Sequence, residues 1–379
     1  MQNAHFDFDP SIRVIFGAGS LDQLGDLARE LAGPHALLVT DPGLVDSGLA
    51  DKAQCALHTA GLTTTLFSAV DENPTTQHVD AGVECAQARK PIDLIVALGG
   101  GSAMDCAKGI NFVLTNGNRM EDYHGYGKAT KPMLPSIGVP TTAGTGSEAQ
   151  SYALIARIES GEKMACGDRK ARFRIAILDP ELIGSAPLPV RAAAGIDAIA
   201  HAIESYVTRR HTPLSSLFAR EAWRLLAPAF SVAIEDPDDL DAAGAMLLGA
   251  HYAGTAIENS MLGAAHATAN PLSAHYHIPH GHAVALMLPH VIRLNARVVN
   301  DLYDDLCTDI GLHGGAETLA NHIDELKTLA DLPQRLSDAR VTADRIDTMA
   351  EQACSQWTGE FNPLSLDKQA FLHLYTSAL

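Results

Sequence analysis

Positive charge is scarce in this 379-residue chain: 27 Lys and Arg stand against 45 Asp and Glu, a formal net charge of −18. Without a cationic surface there is no electrostatic hold on nucleic acid or an anionic bilayer, which argues against both as partners. Cysteine is also sparse. Cys55, Cys85, Cys106, Cys166, Cys307 and Cys354 form no Cys-x-x-Cys pair and no framework spacing, so reduced thiols in a cytoplasmic protein are expected. Long apolar runs are missing too. The stretch 92–98 contains Asp93, is too short to span a bilayer and ends in glycines. The opening residues, Met1-Gln2-Asn3-Ala4-His5-Phe6-Asp7, lack the basic region and apolar core of a signal peptide, in keeping with the cytoplasmic expectation.

What is present reads as a soluble globular enzyme: 46% hydrophobic residues, 19% charged, and a mean hydropathy of +0.03. The length exceeds one typical hydrophobic core and predicts two domains. Up to about residue 180, short apolar runs alternate with amphipathic stretches. Strands are predicted at 35–40, 62–67, 93–98 and 136–140, and helices at 21–31, 76–89 and 102–114. Nearly continuous apolar strands between helices are the pattern of a parallel sheet covered on both faces. Asp179-Pro180 and Pro187-Leu188-Pro189 then punctuate the chain, and Ala-, Leu- and His-rich helices are predicted at 190–208, 213–233, 239–276 and 280–298. The expected plan is an α/β domain over 1–183 and an all-α domain over 184–379, with the site between them. No internal repeat or low-complexity tract interrupts it.

Gly99-Gly100-Gly101-Ser102 directly follows the predicted strand ending at Leu98 and opens a helix carrying Asp105 and Lys108. Glycines let the backbone approach a diphosphate, and free amides at a helix start attract the anion. A second polar loop, Pro140-Thr141-Thr142-Ala143-Gly144-Thr145-Gly146-Ser147-Glu148, follows the next strand. Each loop alone also fits an ordinary glycine-rich turn; together, at strand carboxyl ends, they point to a nucleotide. Asp41 has two readings. It could bind ribose hydroxyls and repel a 2′-phosphate, which favours NAD over NADP, or it could cap the turn before Pro42.

Asp197 and His201, in Gly195-Ile196-Asp197-Ala198-Ile199-Ala200-His201, stand four residues apart on one helix face. A lone His in such apolar surroundings is most often a packed residue, but further histidines follow. His266 lies among small residues, and His280 follows Pro279 in the first turn of a predicted helix. One carboxylate and several imidazoles suit a divalent transition metal. His275, His277 and His282 flank His280, and spacing does not select among them.

These motifs together resemble the iron-containing (group III) alcohol dehydrogenases: the Gly99–Ser102 turn with Asp105 and Lys108, the Thr/Gly loop, the 195–201 helix, and the 263–290 segment with Pro279-His280-Gly281 and Leu288-Pro289-His290. The resemblance runs from Phe16-Gly17-Ala18-Gly19 to about residue 300. It implies a dehydroquinate synthase-like architecture with a dinucleotide-binding α/β domain and a helical metal-binding domain. It implies metal ligands at Asp197, His201, His266 and His280, which would be the catalytic residues through the metal. Cofactor contacts are implied at Asp41, Gly99, Gly100, Gly101, Ser102, Asp105, Thr141, Thr142, Thr145 and Lys163. Many members carry a further His four residues after the third ligand, assigned to proton transfer, where this chain has Asn270. Gln150 and Ile257-Glu258-Asn259 also depart from the common pattern.

The expected function is therefore metal-dependent hydride transfer between NAD(H) and a small alcohol, aldehyde or ketone. Fe(II) is implied by the resemblance, with Zn(II) or Mn(II) also chemically suited, and NAD is preferred over NADP. A homodimer or higher homo-oligomer is the family expectation. A polyol or hydroxyacid dehydrogenase of the same fold is an alternative. So is an NAD- and metal-dependent lyase resembling dehydroquinate synthase, but that would want Lys and Arg around a multiply charged substrate, and 254–282 contains none. A metal-stabilised scaffold is a third reading, disfavoured by the presence of both nucleotide loops and a complete ligand set.

Overall fold

A computed structural model describes residues 6–159 and 161–379. The first five residues of the stretch inspected for a signal peptide lie outside the described residues. The chain forms two compact units, one comprising Asp9–Thr142 with Gly146–Ser185, the other residues 6–8, Ala143–Thr145 and Ala186–Leu379.

The first unit is built on a parallel six-stranded sheet. Its strands are β1 (Arg13–Phe16), β2 (His35–Val39), β3 (Thr63–Phe67), β4 (Leu94–Gly99), β6 (Ser136–Pro140) and β9 (Ile175–Leu178), in the spatial order β1-β9-β6-β4-β2-β3. A smaller sheet joins β5 (Gly125–Tyr126), β8 (Lys163–Gly167) and β7 (Tyr152–Ala156), with β8 in the middle. Helices α1 (Leu24–Leu31) and α3 (Leu49–Thr59) cover one face of the large sheet, burying Ala36, Leu38, Leu94, Val96 and Leu98. Helices α4 (Thr76–Gln87) and α5 (Gly101–Asn116) cover the other, over Leu37, Val39, Ile95 and Ala97. Every residue of β4 is buried, which is why its sequence lacks polar alternation. A short helix, α2 (Pro42–Asp46), follows β2.

Strand order reverses between β2 and β4. The chain leaves β2 for β3 on one side, and leaves β4 for β6 on the other. Their exits diverge towards opposite faces, opening a crevice at the carboxyl ends of the two strands. The four strands expected from sequence are present. β1, β9 and the smaller sheet are additions, all too short or too irregular in pattern to stand out as period-two signals.

The second unit is helical: α6 (Leu188–Val207), α7 (Pro213–Glu235), α8 (Leu240–Glu258), α9 (Ala264–Tyr276), α10 (His280–Asp309), α11 (Gly315–Leu329), α12 (Ile346–Cys354) and α13 (Lys368–Ala378). The single helix expected over 239–276 is two. Asn259 Nδ2 turns back to the Thr255 carbonyl (2.8 Å) and Ser260 Oγ to that of Ala256 (2.7 Å), ending α8 before Gly263 precedes α9. The helix expected over 280–298 continues to Asp309 through a kink at Val299. α6 is buried from Gly195 to Val207, so its Ala- and Ile-rich composition reflects burial on nearly all sides.

Two contacts pin α7 to α10. Trp223 Nε1 donates to the Leu306 carbonyl (2.7 Å), and Arg220 holds Asp309 bidentately, with Nε and Nη2 each 2.7 Å from a carboxylate oxygen. Arg224 Nη2 adds a third bond at 2.8 Å. Burial opposes charge on Asp309, but the guanidiniums of Arg220 and Arg224 outweigh it and hold the carboxyl below the usual range. A depressed carboxyl contributes stability above its unfolded pKa and loses it as pH falls through the folded one. Asp309→Asn is therefore expected to cost about 1–2 kcal/mol at neutral pH. That gap should narrow on acidification, a comparison that thermal melts of both proteins across acidic pH would make.

Candidate metal and nucleotide sites

In the α/β unit the Gly99–Ser102 turn lies where strand order reverses. Gly99 adopts φ +149°, and a Cβ there would stand 2.7 Å from Ala103 Cβ and 3.3 Å from Asp41 Oδ2, so only glycine fits between the two loops. α5 then begins at Gly101, with Gly101 and Ser102 part-exposed and their end of the helix available to an anion. Asp41 caps α2, accepting from the Leu44 amide through Oδ1 at 3.1 Å. Its second oxygen faces Gly99, so capping and a ribose-binding role are compatible in one side chain.

Thr141 is buried at the end of β6, its amide bonded to the Gly99 carbonyl (3.0 Å), and Thr142 Oγ1 borders Gly100. Asp105 and Lys108 face inward. Ser147 Oγ donates to Asp105 Oδ1 at 2.6 Å, while Lys108 Nζ reaches the Ser147 carbonyl (2.8 Å), Ser147 Oγ (2.9 Å) and the Tyr152 carbonyl (2.7 Å). Burial pushes the Asp105 carboxyl up, against the opposing pull of Lys108. This buried knot fixes the return of the Thr/Gly loop. Lys163 is exposed at the start of β8, and Thr145 is exposed in the helical unit, to which the loop tip belongs.

In the helical unit, Asp197, His201 and His266 present ligand atoms all within 4.8 Å of one another. Asp197 Oδ1 is the common neighbour: it lies 3.6 Å from His201 Nε2, 3.3 Å from His266 Nε2 and 3.9 Å from His280 Nε2. The 201 and 266 rings stack at 4.8 Å, and the 266 and 280 rings stand 5.4 Å apart. Of the flanking histidines, His275 bonds Gln352 Oε1 (2.7 Å) and His277 ends α9 in a left-handed conformation. His280 opens α10, where a Cβ on the following Gly281 would stand 2.0 Å from the Ala193 carbonyl of α6. That close approach brings His280 to the α6 ligands.

A residue that sequence reading missed completes the cluster. Glu204, buried on α6, takes His266 Nδ1 at 2.5 Å through one oxygen and the Ala265 amide at 2.7 Å through the other. Asp197, His201 and Glu204 occupy i, i+4 and i+7 of one helix face, a spacing visible in the sequence. With Nδ1 turned to Glu204, His266 directs its other nitrogen, Nε2, at Asp197 Oδ1; neither of these two buried atoms has a hydrogen-bond partner. Two facing lone pairs demand a positive charge between them. Burial opposes that charge on His266, yet Asp197 and Glu204 push its pKa up to about 9; burial drives His201 down. For Asp197, burial resists ionisation, but His201, His266 and His280 hold the carboxyl well below its ordinary value. Either a proton or a divalent cation answers this demand, and a carboxylate with three imidazoles fits the latter.

The parallel α/β unit is thus followed by a helical unit that gathers one carboxylate and three imidazoles. The sequence model for iron-containing alcohol dehydrogenase matches residues 10–180, and that for the family's C-terminal part matches 191–379. The chain belongs to the iron-containing alcohol dehydrogenase family. Alcohol dehydrogenase 4 of Schizosaccharomyces pombe is 33% identical over 370 residues, covering 96% of this chain and 87% of its own. The crystal structure of a 1,3-propanediol oxidoreductase superposes with a TM-score of 0.96 at 32% identity, covering 99% of this chain and all (100%) of that one. A sulfoacetaldehyde reductase from Bifidobacterium kashiwanohense, solved with NAD+, superposes with a TM-score of 0.90 at 27% identity over 99% of both chains.

Gly281→Ala should force α10 away from α6, lowering stability by about 1–3 kcal/mol. An unchanged thermal midpoint would show that Gly281 does not lie against the Ala193 carbonyl in solution.

Proposed function

We propose that this enzyme transfers hydride between NAD(H) and a small alcohol, aldehyde or ketone at a divalent metal held by Asp197, His201, His266 and His280. The observation carrying the reading is the buried, unpartnered pair Asp197 Oδ1 and His266 Nε2, 3.3 Å apart. Those four side chains would hold the metal, which would supply Lewis-acid stabilisation of charge on the substrate oxygen worth several kcal/mol, and a bound nicotinamide would supply the hydride chemistry. Fe(II) is the metal the family name favours; intrinsic affinity would favour Zn(II).

The protein's own part is placement. Asp197 supplies the negative charge and the imidazoles supply neutral nitrogen donors, with Glu204 fixing the His266 tautomer. The His280 side chain is 28% exposed against 5–7% for the other two imidazoles, which supports entry of substrate on its side. At the nucleotide site, Gly99, Gly100, Gly101 and Ser102 would take the pyrophosphate on backbone amides, and the Asp41 carboxylate would take ribose and repel a 2′-phosphate, favouring NAD. Thr141, Thr142, Thr145 and Lys163 would complete the cofactor contacts, with Asp105 anchoring their loop through Ser147. Asn270 Nδ2 is bonded to Gln356 Oε1 (2.8 Å), so position 270, four residues after His266, holds no titratable group. We also read the enzyme as a cytoplasmic homodimer or higher homo-oligomer; six free thiols suit a reducing compartment.

NADH oxidation by protein reconstituted anaerobically with Fe(II), Zn(II) or no metal, against short aldehydes, ketones and oxoacids, tests the reading. Metal-dependent NADH loss is expected; silence across the panel with NADH still bound would reject the substrate class. His266→Ala should abolish turnover while leaving NADH binding nearly intact, and parallel loss of both would refute separate metal and nucleotide sites. Glu204→Gln should weaken divalent-cation affinity about 10–100-fold in chelator competition.

A further inference from the structure

The C-terminal segment grips the helix that carries His266 along its whole length. Gln352 Oε1 meets His275 Nε2 (2.7 Å), Gln356 Oε1 accepts from Asn270 (2.8 Å), and Tyr375 donates its hydroxyl to the Thr268 carbonyl (2.7 Å). At the start of α9, the Ala264 amide donates to Asn362 Oδ1 (3.3 Å). Asn362 is 1% exposed, as is Asn295 of α10, and their amides pair reciprocally: Asn295 Nδ2 to Asn362 Oδ1 at 2.9 Å, Asn362 Nδ2 to Asn295 Oδ1 at 2.8 Å. Asn362 Nδ2 also donates to the Leu364 carbonyl at 2.8 Å.

We propose that Asn362, locked by Asn295, is a positioning residue that sets where His266 stands. Its oxygen holds the Ala264 amide while Glu204 holds the next amide, Ala265, and the His266 ring itself. Three consecutive residues of the first turn of α9 are thus fixed from two sides, one side chain coming from α6 and one from the C-terminal segment. The reciprocal amide pair leaves Asn362 a single rotamer and ties that turn to α10, which begins with His280. Two ligand-bearing helices therefore share one buried hydrogen-bonded joint outside the ligand cluster. Such a joint preorganises donor atoms whose spacing a metal ion tolerates poorly if loosened.

This inference rests on the metal reading for its effect on affinity, and the test separates the two. Asn362→Ala is compared with Tyr375→Phe, which removes another buried bond to α9, at the Thr268 carbonyl and not at the amides that open the helix. Zn(II) affinity is measured by chelator competition, and amide hydrogen exchange across 263–268 in metal-free protein. Asn362→Ala is expected to lower Zn(II) affinity about tenfold and to speed exchange at the first turn of α9, with Tyr375→Phe changing neither there. Equal effects of the two variants, or unaltered exchange in Asn362→Ala, would overturn the proposal. Failure of wild-type protein to bind Zn(II) would reject the metal reading, leaving exchange to decide whether Asn362 positions the turn. Should Asn362→Ala not fold, Asn295→Ala keeps the bond to Ala264 and should produce the same changes, smaller in size; no change would again overturn it.

Discussion

The helical unit depends on burying a carboxylate among imidazoles. An isolated charge in such surroundings costs several kcal/mol, and Asp197 remains ionised only because three rings surround it. Those rings arrive from three helices, so the charge is stable only while α6, α9 and α10 hold their positions. Close approach of α10 to α6 at Gly281, the Glu204 carboxylate behind His266, and the Arg220–Asp309 clamp each meet part of that requirement. The cluster is thus both a candidate catalytic centre and a concentration of buried charge that the surrounding packing must hold in place.

The α/β unit handles charge differently. Its glycine turn leaves backbone amides uncovered by side chains, and Gly99 matters because a Cβ would collide with Ala103. The ionised groups nearby, Asp105 and Lys108, are spent internally on Ser147 and Tyr152. That buried knot ties α5 to the Thr/Gly loop. Asp41 is the exception: one oxygen is used for the cap and the other faces the turn.

Departures from the family pattern also gain a physical account. Asn270 is held by Gln356 and His275 by Gln352, so polar groups beside the ligands serve to hold α9. Asn270 therefore places no titratable group at this position and gives α9 a hydrogen bond to the C-terminal segment.

Much of this was legible in one dimension. Strand–helix alternation, the glycine turn after β4 and the i, i+4 spacing of Asp197 and His201 are local patterns, and local patterns express backbone sterics and helical period. Asp197, His201 and Glu204 even share a stripe, though Glu204 has meaning only once His266, 62 residues away, is placed against it. The break between α8 and α9 was hidden because both sides are apolar and helical. Spacing left His280 among His275, His277 and His282, and the approach of α10 to α6 is what brings it beside Asp197; the role of Asn362 needed its contact with Ala264, 98 residues distant. The sequence alone determined which chemistry is available and on which elements it rides. Only the tertiary structure decided which side chains meet, because burial and hydrogen bonding are properties of neighbours in space, and no period along the chain encodes them.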